Sequence, residues 1–312
     1  MRIRARRYLG AMAGVIFAFG PSGCRLEVPA AQRATILAAN GQAEEALVLM
    51  ESHLVEVPES VEARRLAVRL SAAVGRMDRA EHHVAALARQ LGDKSSAPWI
   101  EFGHALELVH RYDEALEMYD QAAIAAPMSP EGPKVGGMRA ARWGELHWAE
   151  PRLSEAVKRE PTDPDTWHAL GLVRSQLGDQ RGARVAYMSG LRSDPKSLQN
   201  RLGLATLGLR SGDFEQAASQ YDTILEARPD YAAAYLGRSW AQLQLGRYDA
   251  AEQSLLEGQA RGADPAKVRA QRRQLVRAKR AGGPASSRRE LDSTSPLSGD
   301  PKPPISGPSE AR

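Results

Sequence analysis

The sequence predicts an all-α solenoid of stacked helical hairpins, and three observations predict it. The first is a register. Ala46, Ala80, Ala115, Ala149, Ala183, Ala217 and Ala251 stand 34, 35, 34, 34, 34 and 34 residues apart. The second is what surrounds each alanine. Five residues before lies a turn residue: Gly41, Gly75, His110, Gly144, Gly178, Gly212 or Gly246. Four after lies a large one: Met50, Val84, Tyr119, Leu153, Tyr187, Tyr221 or Leu255. The third is Pro58, Pro127, Pro161, Pro195 and Pro229, each twelve after its alanine. A period near 34 residues is that of a two-helix unit.

The elements follow in chain order. Arg2, Arg4, Arg6 and Arg7 precede an apolar stretch over 8–20. That stretch is too short for an ordinary membrane span and suits the core of an export signal. Pro21-Ser22-Gly23-Cys24 follows directly. It resembles a bacterial lipoprotein cleavage box, in which small residues precede the cysteine that becomes acylated, with Pro21 where that box usually carries leucine. The resemblance implies that 1–23 is a signal peptide, that Cys24 is lipidated, and that the exported chain is membrane-anchored, facing the periplasm or the cell surface. The alternatives are a plain secretory signal cut after Val28-Pro29-Ala30, leaving a soluble periplasmic chain, and an uncleaved anchor. Residues 24–32 read as a linker and 33–265 as an array of about seven repeats.

Residues 165–195 show why one unit folds as it does. Trp167, Leu170 and Leu177 share one helix face. Gly178-Asp179 ends that helix and starts the next, since glycine tolerates the left-handed conformation and aspartate caps a helix start. Ala183, Tyr187 and Leu191 lie on one face of the second helix, and Pro195 stops it. The unit over 128–161 departs from the pattern, with Pro130, Pro133, Gly136-Gly137 and Pro151. It reads as a shortened, weaker repeat, with Pro151 in the first turn of its second helix; the alternative is a hinge or partner contact.

Residues 266–281 hold seven Lys/Arg and no acid, opened by Asp264-Pro265. They read as a basic capping helix, with Val268 and Leu275 against the last repeat. Residues 282–312 are rich in Gly, Pro and Ser with few large apolar residues, a composition that predicts disorder. Charge is thereby split. Residues 24–265 carry 27 Lys/Arg against 34 Asp/Glu, a net of −7, while 266–312 carry +7.

Phosphate-loop, dinucleotide, Gly-x-Ser-x-Gly and His-Glu-x-x-His motifs are absent from the sequence, and Cys24 is its only cysteine. No catalytic residue, cofactor or metal site is therefore expected. His82-His83 reads as a surface pair, because adjacent helical residues diverge by about 100°.

Trp167, Leu170, Gly171, Gly178, Ala183, Tyr187 and Pro195 together resemble the tetratricopeptide repeat, TPR. So do Trp99, Phe102, Gly103, Tyr112, Ala115, Tyr119, Ala122 and Pro127. Later units keep the turn, alanine and large-residue positions but carry Arg201, Leu204 and Ala205, then Tyr235, Arg238 and Ser239, in their first helices. The resemblance covers roughly 27–265. It implies a right-handed superhelix whose first helices line a concave groove, and a role in binding other proteins rather than catalysis.

Carried over to this sequence, the family's groove positions are Ile100, His104 and Glu107 in the third unit, and Lys134, Met138 and Arg142 in the fourth. The fifth supplies His168, Leu172 and Gln176. The sixth supplies Gln199, Leu202, Thr206 and Arg210, and the seventh Leu236, Trp240 and Gln244. Such a mixed surface suits an extended or helical peptide. Family members that grip a C-terminal carboxylate place Asn where this chain has His104, Met138, Leu172 and Thr206, which argues against that ligand. The combined expectation is a lipoprotein adaptor of the bacterial cell envelope, of the group that assists secretion, pilus, exopolysaccharide or outer-membrane assembly. The alternative is a surface-binding protein whose basic tail engages anionic lipid or polymer, with the repeats as a spacer. Nucleic acid is not expected as a partner.

Overall fold

The computed structural model describes residues 29–281. The expected signal peptide, Cys24, most of the expected linker and the tail beyond 281 lie outside the described residues. Among these residues fifteen helices form, fourteen of them in seven hairpins. The hairpins are α1 (Ala30–Ala39) with α2 (Ala43–Glu56), α3 (Val61–Ala73) with α4 (Met77–Leu91), and α5 (Ala97–Leu108) with α6 (Tyr112–Ala125). Next come α7 (Glu131–Trp143) with α8 (Leu146–Arg159), and α9 (Pro164–Gln176) with α10 (Gln180–Ser193). The last are α11 (Leu198–Ser211) with α12 (Phe214–Ala227), and α13 (Ala232–Gln244) with α14 (Tyr248–Ala260), followed by α15 (Pro265–Ala281). Each second helix packs on the first helix of the next hairpin, and neighbouring first helices such as α9 and α11 touch. The result is an all-α solenoid.

Local chemistry places the boundaries. The seven hairpin turns contain a residue of positive φ, which is glycine in six of them and His110, at 61°, in the third. The His110 ring nitrogen Nδ1 lies 2.7 Å from the Tyr112 hydroxyl. Side-chain caps start several helices: Asp179 accepts from the Gly182 amide at 2.8 Å, and Asp163 from the Asp165 amide at 3.0 Å. The seven register alanines are at most 1% exposed.

Where the residue four after the alanine is tyrosine, its ring packs against glycines of the first helices. The Tyr187 ring lies between α9 and α11, against Gly171 and Gly203. Tyr119 fills the same place against Gly103, and Tyr221 against Gly237. The small residues of the first helices admit these rings.

The fourth unit is not shortened. Helices α7 and α8 have 13 and 14 residues, as α9 and α10 do. Its glycines are contact points. A Cβ on Gly132 would meet the Ala123 backbone at 2.5 Å, one on Gly136 would meet Tyr119 Cβ at 3.0 Å, and one on Gly137 would meet Leu153 Cγ at 2.7 Å. Close approach of α7 to α6 and α8 thus requires them. Arg159 strengthens the same junction by donating to the carbonyls of Ala123 at 3.2 Å and Ser129 at 3.0 Å. Pro151 is not in the first turn, because α8 begins at Leu146 and the proline is its sixth residue. Its neighbour one turn back, His147, is exposed, so water can reach the carbonyl that proline leaves unpaired.

Two further expectations are corrected. The linker is shorter than 24–32, since α1 starts at Ala30, buries Ala34 completely and packs on α2. His83 is not a surface residue. It is 7% exposed, its Nε2 lies 3.6 Å from Glu51, and burial lowers its pKa.

Candidate partner-binding groove

Helices α7, α9 and α11 form the walls of an open cavity of about 370 Å³. Met138, Ala141 and Arg142 come from α7, and Gln199 comes from α11. Asp165, His168, Ala169, Leu172, Val173 and Gln176 come from α9. Helical spacing explains the set, since steps of three, four, four, four and seven keep side chains on one face. Six of the expected groove residues therefore meet at one place: Met138, Arg142, His168, Leu172, Gln176 and Gln199.

The chemistry there is an apolar floor with polar edges. Leu172 is 39% exposed and offers an apolar contact on that floor. Arg142 is exposed, and no carboxylate among the described residues pairs with it. His168 is half-buried with its ring 5.9 Å from that of Tyr187. Burial lowers its pKa, with Asp165 pulling the other way. Burial also raises the Tyr187 hydroxyl to about 12, against the nearby Arg210 charge. Arg210 reaches from α11 to the Ser175 hydroxyl on α9 at 3.4 Å. Leu202 and Thr206 are half-buried on α11, and Leu202 packs on the core beneath.

Toward the N-terminal side the groove turns ionic. Glu107 accepts a hydrogen bond from the Tyr119 hydroxyl and lies 3.0 Å from Arg139 Nε. His104 stacks edge-on to Tyr119 at 5.8 Å, and burial lowers its pKa. Glu101, 3% exposed, is held by Arg65 at 2.7 Å and Arg69 at 3.2 Å. Lys134 pairs with Asp163. Sequence reasoning missed Glu101, Arg65, Arg69 and Arg139. The available signal was Arg65 and Arg69, four apart on α3, with a carboxylate one unit later.

Three expected groove residues do not line it. Ile100 is 7% exposed and belongs to the core around Tyr119 and Leu106. Leu236 and Trp240, each 4% exposed, are covered by α15. Leu236 packs with Val268, and Trp240 lies in the cluster that contains Leu275 and Ala278. Gln244 is half-buried beside them. Among the described residues no group of His, Cys, Asp and Glu is arranged to hold a metal ion, and no helix is long and apolar enough to cross a membrane.

Comparison with known proteins agrees with the helical-repeat fold. Residues 202–266 match the model of the tetratricopeptide repeat. Over 86 residues the chain is 30% identical to cellulose synthase operon protein C of Pseudomonas fluorescens (strain SBW25), covering 28% of this chain and 7% of that protein. Over 147 residues it is 25% identical to superkiller complex protein 3 of Mus musculus, covering 43% of this chain and 9% of that protein. The chain thus spans less than a tenth of either relative. Among solved structures, the C-terminal part of a TPR repeat-containing protein from Cytophaga hutchinsonii matches with a TM-score of 0.58 at 14% identity, over 77% of this chain and 98% of that one. YrrB, described as a TPR protein with an unusual peptide-binding site, matches with a TM-score of 0.51 at 18% identity, over 62% and 96%.

Proposed function

We propose that this chain, a tetratricopeptide-repeat solenoid, is a non-enzymatic adaptor of the bacterial cell envelope that takes a peptide or helix of a partner protein in its groove. TPR solenoids are in general protein-interaction scaffolds. The observation that carries the reading is the open cavity across α7, α9 and α11, with the exposed Leu172 on its floor and the unpaired Arg142 at its edge. An apolar anchor side chain fits such a floor, and a carboxylate nearby on the ligand would answer Arg142. Likeness to YrrB supports a peptide as ligand. The arginine-led apolar leader and the Ser-Gly-Cys24 sequence support export and a lipid anchor. A relative named for a cellulose synthase operon fits exopolysaccharide assembly among the envelope processes.

A photo-crosslinker placed at Leu172 tests the groove. It should capture a discrete envelope protein, and Arg142→Glu should remove that adduct without lowering the melting temperature. Crosslinking that is indifferent to Arg142 would sink the groove reading. The anchor is tested by Cys24→Ala, which should release the chain from membranes or leave the precursor uncut. A soluble wild-type chain beginning at Ala31 would refute it.

A further inference from the structure

Helix α15 has two unlike faces. One buries Val268, Gln271, Leu275 and Ala278 at 3–4% exposure, packed on α13 and α14. Arg269, Arg273, Arg277 and Arg280, spaced by four, four and three, lie on the opposite face. All four are exposed, and no acid or other acceptor among the described residues pairs with them. A cation a little further round the helix behaves differently. Lys279 Nζ lies 3.0 Å from Asp249 and 2.7 Å from Glu252. Elsewhere in the array arginines reach acids on a neighbouring unit, as Arg152 reaches Asp120 at 2.5 Å and Arg247 reaches Glu215 at 2.7 Å. The outer face of α15 has no described neighbour to supply such an acid.

We propose that this arginine row is a docking surface for the phosphate headgroups of an anionic membrane. Their backbone positions span about 16 Å along α15 within about 80° of its circumference, so one plane can meet the row. Guanidinium binds phosphate through paired hydrogen bonds, which an ammonium cannot match. Beside the row lie Ala270 and Val276, the latter 43% exposed, with Arg272 and Lys267 further round on either side. A lipid interface accepts an exposed apolar side chain such as Val276 among the cations. Charge separation adds orientation. Residues 266–281 carry +7 and residues 24–265 carry −7. An anionic plane therefore attracts the α15 end and repels the rest, so the solenoid stands on that end. This surface is independent of the groove.

Co-sedimentation of the full chain with phosphatidylcholine vesicles, with and without phosphatidylglycerol, tests the proposal. Phosphatidylglycerol should raise binding, and salt should reduce it. Replacing Arg269, Arg273, Arg277 and Arg280 together by Gln should lower the anionic component about fivefold per arginine, with the melting temperature unchanged. A control that replaces Arg33, Arg89, Arg181 and Lys196 by Gln removes the same charge elsewhere and should keep most of the binding. Equal binding to both vesicle types, or equal losses in the two variants, would overturn the proposal. So would a short DNA duplex that binds as tightly and with the same dependence on the row, because nucleic acid would then be the occupant.

Discussion

Tyr187 and Gly171 share one contact: a Cβ on Gly171 would lie 2.5 Å from Cε1 of the Tyr187 ring, and one on Gly203 would lie as close from the other side. One aromatic ring therefore sets the spacing of two neighbouring hairpins.

Gly171→Ala gains roughly 1 kcal/mol of helix propensity but forces the ring or a helix to move, at about 1–3 kcal/mol. The net expectation is a lower melting temperature. Tyr187→Leu should cost stability alone yet relieve part of the Gly171→Ala penalty, because the two residues touch. Strict additivity in a double-mutant cycle would mean that the contact does not limit the spacing.

Ala183 is fully buried where α10 meets its partner helices. Ala183→Trp should lower the melting temperature by several degrees or prevent folding. Its neighbour Arg184 bonds to Gln216 and lies 3.5 Å from Asp213 on the next unit, so it is tied into the stack. Arg181 is exposed, and Arg181→Ala should change stability by no more than about 0.5 kcal/mol. Similar losses in the two variants would show that the alanine register is not the tight contact.

Pro151 lacks the amide that would bond to the His147 carbonyl. Pro151→Ala should therefore raise stability by about 1–3 kcal/mol, read by chemical denaturation. A loss would mean that the proline shapes the path of α8 in a way its neighbours require.

Burial holds His83, His104 and His168 below the usual imidazole pKa of 6.5. As pH falls below that value the unfolded chain takes up protons that the folded chain resists. Their contribution to stability is thus present above about pH 6.5 and lost as pH falls through the depressed folded values. The melting temperature should be lower in mildly acidic buffer than at neutrality. The double variant His104→Gln with His168→Gln should show a smaller drop. An unchanged drop would assign it to other groups.

Much of this was legible because it is written locally. A turn glycine, a register alanine and a large residue recur within nine positions, so each hairpin could be read without its neighbours. Met138, Arg142, His168, Leu172, Gln176 and Gln199 were legible for the same reason, since one helix face at known spacing predicts a shared surface. Leu236 and Trp240 look identical in that pattern. Their burial depends on α15, some thirty residues later, and nothing in their own helix announces it. Gly136 likewise makes sense only beside Tyr119 and Arg152, which belong to other helices. Pro151 was misplaced because α8 starts without an aspartate to mark its first turn; Glu145 precedes it instead and makes no side-chain cap.

The cover that α15 lays over Leu236 and Trp240 also makes the groove a ruler. With the positions on α13 closed, the accessible run ends at α11. First helices of neighbouring units pack about 10 Å apart, so α7 to α11 measures about 20 Å. An extended chain advances about 3.3 Å per residue. An extended ligand crossing the cavity from α7 to α11 would then span about six residues there, and its anchor and its acidic residue would keep a fixed separation. Lengthening that separation by one residue would turn one of the two side chains away from the wall, so the solenoid would select short linear motifs by spacing as much as by composition.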